Sequence, residues 1–210
     1  MGGKLRHGVI VARKKFEVWW PTRCFEREIR NHPDGQNSAD VFNDTQKKWI
    51  LDAELAAQFA VATHARRVRL VPQPLERPDF EMLLRNGQLM RVEATEAMME
   101  GRRRGDEYRA AKAAGYPISH DPGECWGTRR AAIAERVKCV AAKKAAKDYP
   151  PGTSLLIYVN ITTHGRWRAE IENEIVESTR IARERFLSIW VLWDRRFYRC
   201  WPTPSIGLKH

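Results

Sequence analysis

The chain has 210 residues, with 37 Lys and Arg against 26 Asp and Glu and a formal net charge of +11; its isoelectric point is near 9.8. A hydrophobic fraction of 43% and eight tryptophans exclude a globally disordered chain, although 30% of residues are charged. The length suits a single domain, residues 1–210, with its own core. No apolar run is long enough to span a bilayer, and Met1 to His7 lacks the apolar region of a secretion signal. The expected location is therefore the cytoplasm, with no membrane partner. Cys24, Cys125, Cys139 and Cys200 are scattered without metal or redox spacing. They read as reduced thiols, with no zinc and no disulfide. The excess of positive charge suits a polyanionic partner and equally an ordinary basic protein, so it informs only in combination with a site.

Residues 8–29 hold short apolar and aromatic runs, Val9-Ile10-Val11 and Val18-Trp19-Trp20, which predict one or two short strands. Asn31 to Asn43, rich in Pro, Asp, Gly, Asn and Ser, reads as a loop. A helix is expected from Asp44 to Thr63, with Ile50, Ala53, Ala57 and Val61 on one stripe. Arg67 to Val71 alternates as a strand that Pro72 and Pro74 end, and a hairpin follows over residues 77–96. Residues 98–127 form a long connection with a basic tip, Gly101-Arg102-Arg103-Arg104-Gly105, and an Ala-rich helical segment from Tyr108 to Ala114. A second long helix is expected from Thr128 to Lys147, with Ile133, Val137, Val140 and Ala141 on its apolar face. Tyr149-Pro150-Pro151-Gly152 stops it. Leu155 to Val159 is a continuous apolar strand of the doubly buried kind. A helix over Ile171 to Phe186 and strands over Ser188–Trp193 and Phe197–Trp201 complete the chain. The order predicts an α/β protein with a mixed central sheet flanked by helices on both faces.

The hairpin carries the chemistry. Asp79 and Glu93 stand at the mouths of its two strands. A two-residue loop at Asn86-Gly87 would send these acids to opposite faces of the sheet. A three-residue loop, Arg85-Asn86-Gly87, instead pairs Asp79 with Glu93 on one face. That loop is a type I turn closed by a bulge, and it requires the left-handed conformation at Gly87. Adjacent carboxylates repel without a cation, which points to a hard divalent metal on oxygen ligands. In the same register Arg91, Glu93 and Thr95 share a face, as do Asp79 and Glu81. The alternation also describes an amphipathic hairpin whose polar face is wet. Glu54 shares the helical stripe of Ile50, Ala57 and Val61, so its carboxylate points towards the sheet. Such an acid must be paired, protonated or near a metal, and Arg67 or Arg69 could be the partner.

Pro78-Asp79, then Glu93-Ala94-Thr95, set between an acid-bearing helix and a helix–strand unit, resembles the PD-(D/E)XK nuclease superfamily. The resemblance covers residues 44–161, with 1–43 and 162–210 as N- and C-terminal elaborations. It implies a restriction-endonuclease-like core in the order helix, three strands, helix, strand. It also implies Mg²⁺ (or Mn²⁺) held by Asp79, Glu93 and the main-chain carbonyl of Ala94, with Glu54 assisting. The motif lysine is replaced by Thr95, which can donate a hydrogen bond but supplies no positive charge. The charge could come from the second helix, where Lys138 is the first choice and Lys144 the second, or from Arg91. Otherwise catalysis has been lost.

Arg102, Arg103, Arg104 and Lys144 are the expected phosphate contacts, with Lys143, Lys147, Arg129 and Arg130 extending a basic rim. The six histidines show no ligand spacing. The resulting expectation is a metal-dependent nuclease acting on nucleic acid, DNA ahead of RNA. Cutting both strands from one active site would favour a homodimer or sequential nicks. The alternative is a catalytically inactive protein of the same fold that binds nucleic acid or a protein partner.

Overall fold

A computed structural model describes residues 12–33, 48–72, 77–100, 113, 115, 126–161 and 168–202. The elements are β1 (Trp20–Pro21), α1 (Thr22–Arg30), α2 (Lys48–Ala62), β2 (Arg67–Leu70), β3 (Phe80–Leu83) and β4 (Leu89–Ala97). They continue as α3 (Trp126–Ala145), β5 (Thr153–Val159), α4 (Arg168–Ser178), β6 (Ile189–Trp193) and β7 (Arg196–Trp201). The protein is of the α/β class, with a mixed, open sheet of seven strands in the order β1 to β7. The described residues fall into two compact units, one running up to Arg91 and the other built mainly from Val92 onward. The basic tip at Arg102, Arg103 and Arg104 lies outside the described residues.

In the first unit the N-terminal segment departs from expectation. Residues 12–16 form a helical turn, only Trp20 and Pro21 are extended, and Thr22–Arg30 is helical. Phe25 and Ile29, four residues apart, bury one face of α1. Phe16 stands edge-on to the Phe25 ring at 5.1 Å and lies 5.5 Å from the Trp49 ring. Thr22 ties α1 to the body through its hydroxyl, which donates to the Ala65 carbonyl at 2.7 Å. The aromatic run suggested strands, yet Val18 is 58% exposed and pairs with no strand. The i, i+4 pair Phe25–Ile29 was the stronger signal.

Helix α2 buries Trp49, Ile50, Ala53, Ala56, Ala57 and Ala60, the spacing of an amphipathic face. Val61, expected on that stripe, is 42% exposed; the stripe passes through Ala60 instead. Strands β2 and β3 pair antiparallel with Arg69 opposite Glu81 and Leu70 opposite Phe80. The Val71 N–H donates to the Asp79 carbonyl at 3.0 Å, which carries the same register one step further.

The turn after β3 is the one the sequence requires. The Leu84 N–H donates to the Gln88 carbonyl at 2.9 Å, and the Gly87 N–H donates to the Leu84 carbonyl at 3.0 Å. Gly87 has φ of +82°. These bonds define a three-residue loop with a glycine bulge.

In the second unit, Ile133, Val137 and Ala141 of α3 are buried at four-residue spacing, as expected. They pack into a core with Leu155, Ile157 and Val159 of β5 and Ile189, Val191 and Trp193 of β6. Strands β5 and β6 pair parallel, Leu155 opposite Ile189, and β6 returns antiparallel to β7. The β6–β7 turn places Asp194 at φ 48° and Arg195 at φ 63°, the pair of left-handed residues of a two-residue hairpin loop. The Asn160 N–H donates to the Ala97 carbonyl at 2.9 Å, bringing together the C-terminal ends of β4 and β5 as a parallel pairing requires. Among the described residues no helix is long and apolar enough to cross a membrane.

A Cβ at position 87 would meet no heavy atom within 4 Å, so substitution there costs backbone strain alone. Gly87→Ala is expected to lower stability by about 1 kcal/mol in urea unfolding, and Gly87→Asn by less, because Asn tolerates the left-handed region. Equal losses for the two variants would contradict this account of the turn.

Candidate active site on strand β4

Strand β4 loses its in–out alternation in the middle: Val92, Glu93 and Ala94 are all buried. Glu93 is only 4% exposed. A carboxylate taken that far from water needs a counter-charge and hydrogen bonds. Both come from α3 and the segment just after it. Lys144 Nζ lies 2.5 Å from Glu93 Oε1 and also donates to the Ala94 carbonyl oxygen at 3.2 Å. The Tyr149 hydroxyl donates to the same Glu93 Oε1 at 3.4 Å. Tyr149 is itself buried, its ring 5.1 Å from that of Phe186. The second carboxylate oxygen, Glu93 Oε2, is buried with no hydrogen-bond partner.

Helical geometry explains why Lys144 arrives here. Val137, Ala141 and Lys144 fall on one stripe at steps of four and three, so the lysine extends the apolar face into the last turn. Lys138 follows Val137 directly, roughly 100° off that stripe. Lys138, the first choice of replacement lysine, is exposed. The second choice, Lys144, is the one that reaches Glu93. Tyr149 was read only as part of a helix stop. A buried tyrosine needs a partner for its hydroxyl, and that was the available signal.

The remaining candidates belong to different surroundings. Thr95 is half-buried beside Ala94. Asp79 sits in the first unit, one residue ahead of β3, and is half-buried. Glu81, also in the first unit, is 8% exposed and committed to Arg69 at 2.7 Å and Arg91 at 3.5 Å. Arg91 is therefore engaged by Glu81, and Arg69, whose guanidinium lies over the Trp19 ring at 4.7 Å, is not the partner of Glu54. Glu54 is half-buried, and burial alone raises its carboxyl above the ordinary value.

The basic rim is narrower than expected. Arg130 pairs with Glu170 at 3.3 Å and Glu174 at 3.2 Å, and Arg129 is buried. Lys143 and Lys147 are exposed.

Glu93 Oε2 and the Ala94 carbonyl are hard oxygens of the kind that Mg²⁺ or Mn²⁺ takes, an ion that typically binds one or two carboxylates and completes its shell with water and phosphate. Among the described residues no three His, Cys, Asp or Glu side chains are gathered as a metal-holding cluster. Comparison with known protein families, with characterised proteins and with solved structures finds no match to this chain.

Two outcomes follow from this geometry. Lys144→Met strands a buried carboxylate and is expected to cost roughly 3 kcal/mol in chemical unfolding, with part recovered in the Glu93→Gln/Lys144→Met double variant. Additive losses in the double variant would show that the two side chains do not act as a pair. For Glu54, the folded protein retains a proton that the unfolded chain has released. Its contribution is therefore full below pH 4.5 and falls as pH climbs through the raised value. Glu54→Gln should flatten that fall in urea midpoints taken from about pH 4 to about pH 7. A pH profile identical to that of the parent protein would assign the fall to another group.

Proposed function

We propose that this protein is a metal-dependent nuclease that hydrolyses phosphodiester bonds, with DNA as its substrate. The observation that carries the reading is the Glu93–Ala94–Lys144 group: a buried acid with one unpartnered oxygen, a neighbouring carbonyl, and an ammonium spanning both. Thr95 leaves the nuclease motif without its positive charge, and Lys144 supplies one from α3. The turn at Gly87 is the three-residue loop that the hairpin reading calls for. The mixed sheet and the parallel ends of β4 and β5 are in keeping with a restriction-endonuclease-like core.

In this reading Glu93 and the Ala94 carbonyl, both on β4, hold the ion. A divalent ion so bound would acidify a water molecule and polarise the scissile phosphate. Lys144 donates to a phosphate oxygen and offsets the charge that builds there. Tyr149 keeps the Glu93 carboxylate oriented. The net charge of +11 draws the polyanion to the surface.

Two observations favour a second reading, a catalytically inactive protein of the same fold that binds nucleic acid. Lys144 already neutralises Glu93, and the described residues gather no cluster of three metal-capable side chains.

Purified protein with Mg²⁺ or Mn²⁺ is expected to nick supercoiled plasmid, and Glu93→Gln to lower the rate at least about 100-fold. Nicking that survives Glu93→Gln would place the chemistry elsewhere. Salt-sensitive DNA binding with no nicking would select the second reading.

A further inference from the structure

Lys144 occupies one of the two atoms through which β4 would hold a cation, the Ala94 carbonyl, and the Glu93 oxygen beside the other. Its Nζ contacts Glu93 Oε1 at 2.5 Å and the Ala94 oxygen at 3.2 Å, with the lysine and glutamate side chains 17% and 5% exposed. An ammonium group donating to a carboxylate and a carbonyl meets the same need as a small metal ion, a positive charge against hard oxygens.

We propose that Lys144 is a resident surrogate for the metal. It balances Glu93 in the metal-free protein and leaves when a divalent ion enters, which frees its ammonium for a substrate phosphate. The inference builds on the metal-site reading above. Glu93 is too deeply buried to stand without a counter-charge, yet an ammonium and a divalent ion on one carboxylate and one shared carbonyl repel each other. One must yield, and the lysine can. Lys144 lies on the final turn of α3, so its four-carbon stem can swing without backbone movement. There the helix C-terminal carbonyls favour a positive charge. Tyr149, held against Phe186, stays on Glu93 Oε1 and preserves the orientation of the carboxylate during the exchange.

The test is Mn²⁺ binding, measured by calorimetry and by the electron paramagnetic resonance of free Mn²⁺. The samples are the full chain, Lys144→Met, and Glu93→Gln/Lys144→Met. Lys144→Met should bind Mn²⁺ at least tenfold more tightly than the parent, and the double variant should lose that gain. Equal or weaker binding by Lys144→Met overturns the surrogate role while leaving the metal site standing. No binding by either the parent or Lys144→Met overturns the metal-site reading and this inference with it.

If Lys144→Met does not fold, reductive methylation of the parent protein decides, read by mass spectrometry. Lys144 should label several-fold faster with saturating Mn²⁺ than without, while exposed Lys138 keeps a constant rate. Equal Lys144 rates overturn the proposal.

Discussion

A carboxylate that is 4% exposed must be neutralised where it stands, and on β4 that requirement falls on a single lysine. The Glu93–Lys144 contact fixes which turn of α3 faces β4 and which oxygen of the acid is occupied. It also leaves Glu93 Oε2 buried without a hydrogen-bond partner, an arrangement that costs stability. A purely structural ion pair would be better served by satisfying both oxygens, as Glu81 does with Arg69 on one oxygen and Arg91 on the other. The two buried glutamates therefore differ: both oxygens of Glu81 are paired, and one oxygen of Glu93 is not.

The rest of the second unit supports that acid. Ile133, Val137 and Ala141 anchor α3 in the core with β5 and β6, so Lys144 reaches Glu93 from a rigid element. The meeting of Ala97 and Asn160 gathers the C-terminal ends of β4 and β5, and Asn160 also donates its amide to Glu96 at 2.5 Å. Sites carried on packed strands and helices hold their geometry more closely than sites on loops.

Much of this was legible in the sequence where the physics is local. The loop length at Arg85-Asn86-Gly87 followed from counting residues between two acids, and the bonds at Leu84 and Gln88 bear it out. The buried face of α3 followed from its four-residue spacing. Extending that stripe from Val137 through Ala141 places Lys144, and not Lys138, on the side that meets Glu93. Other features needed tertiary knowledge. Tyr149 reaches Glu93 across 56 positions in sequence, and no local pattern encodes such a contact. Residues 22–30 were misread because Val18-Trp19-Trp20 carries strong strand propensity, while Phe25 and Ile29 find their partners only in the folded unit.

The most direct test of the central claim is a crystal structure of the protein soaked in Mn²⁺, collected for anomalous scattering. The account predicts anomalous density about 2.1 Å from Glu93 Oε2 and the Ala94 carbonyl, with the Lys144 ammonium withdrawn from Glu93. A site without anomalous density, and with Lys144 still against Glu93 Oε1 at saturating Mn²⁺, would contradict it.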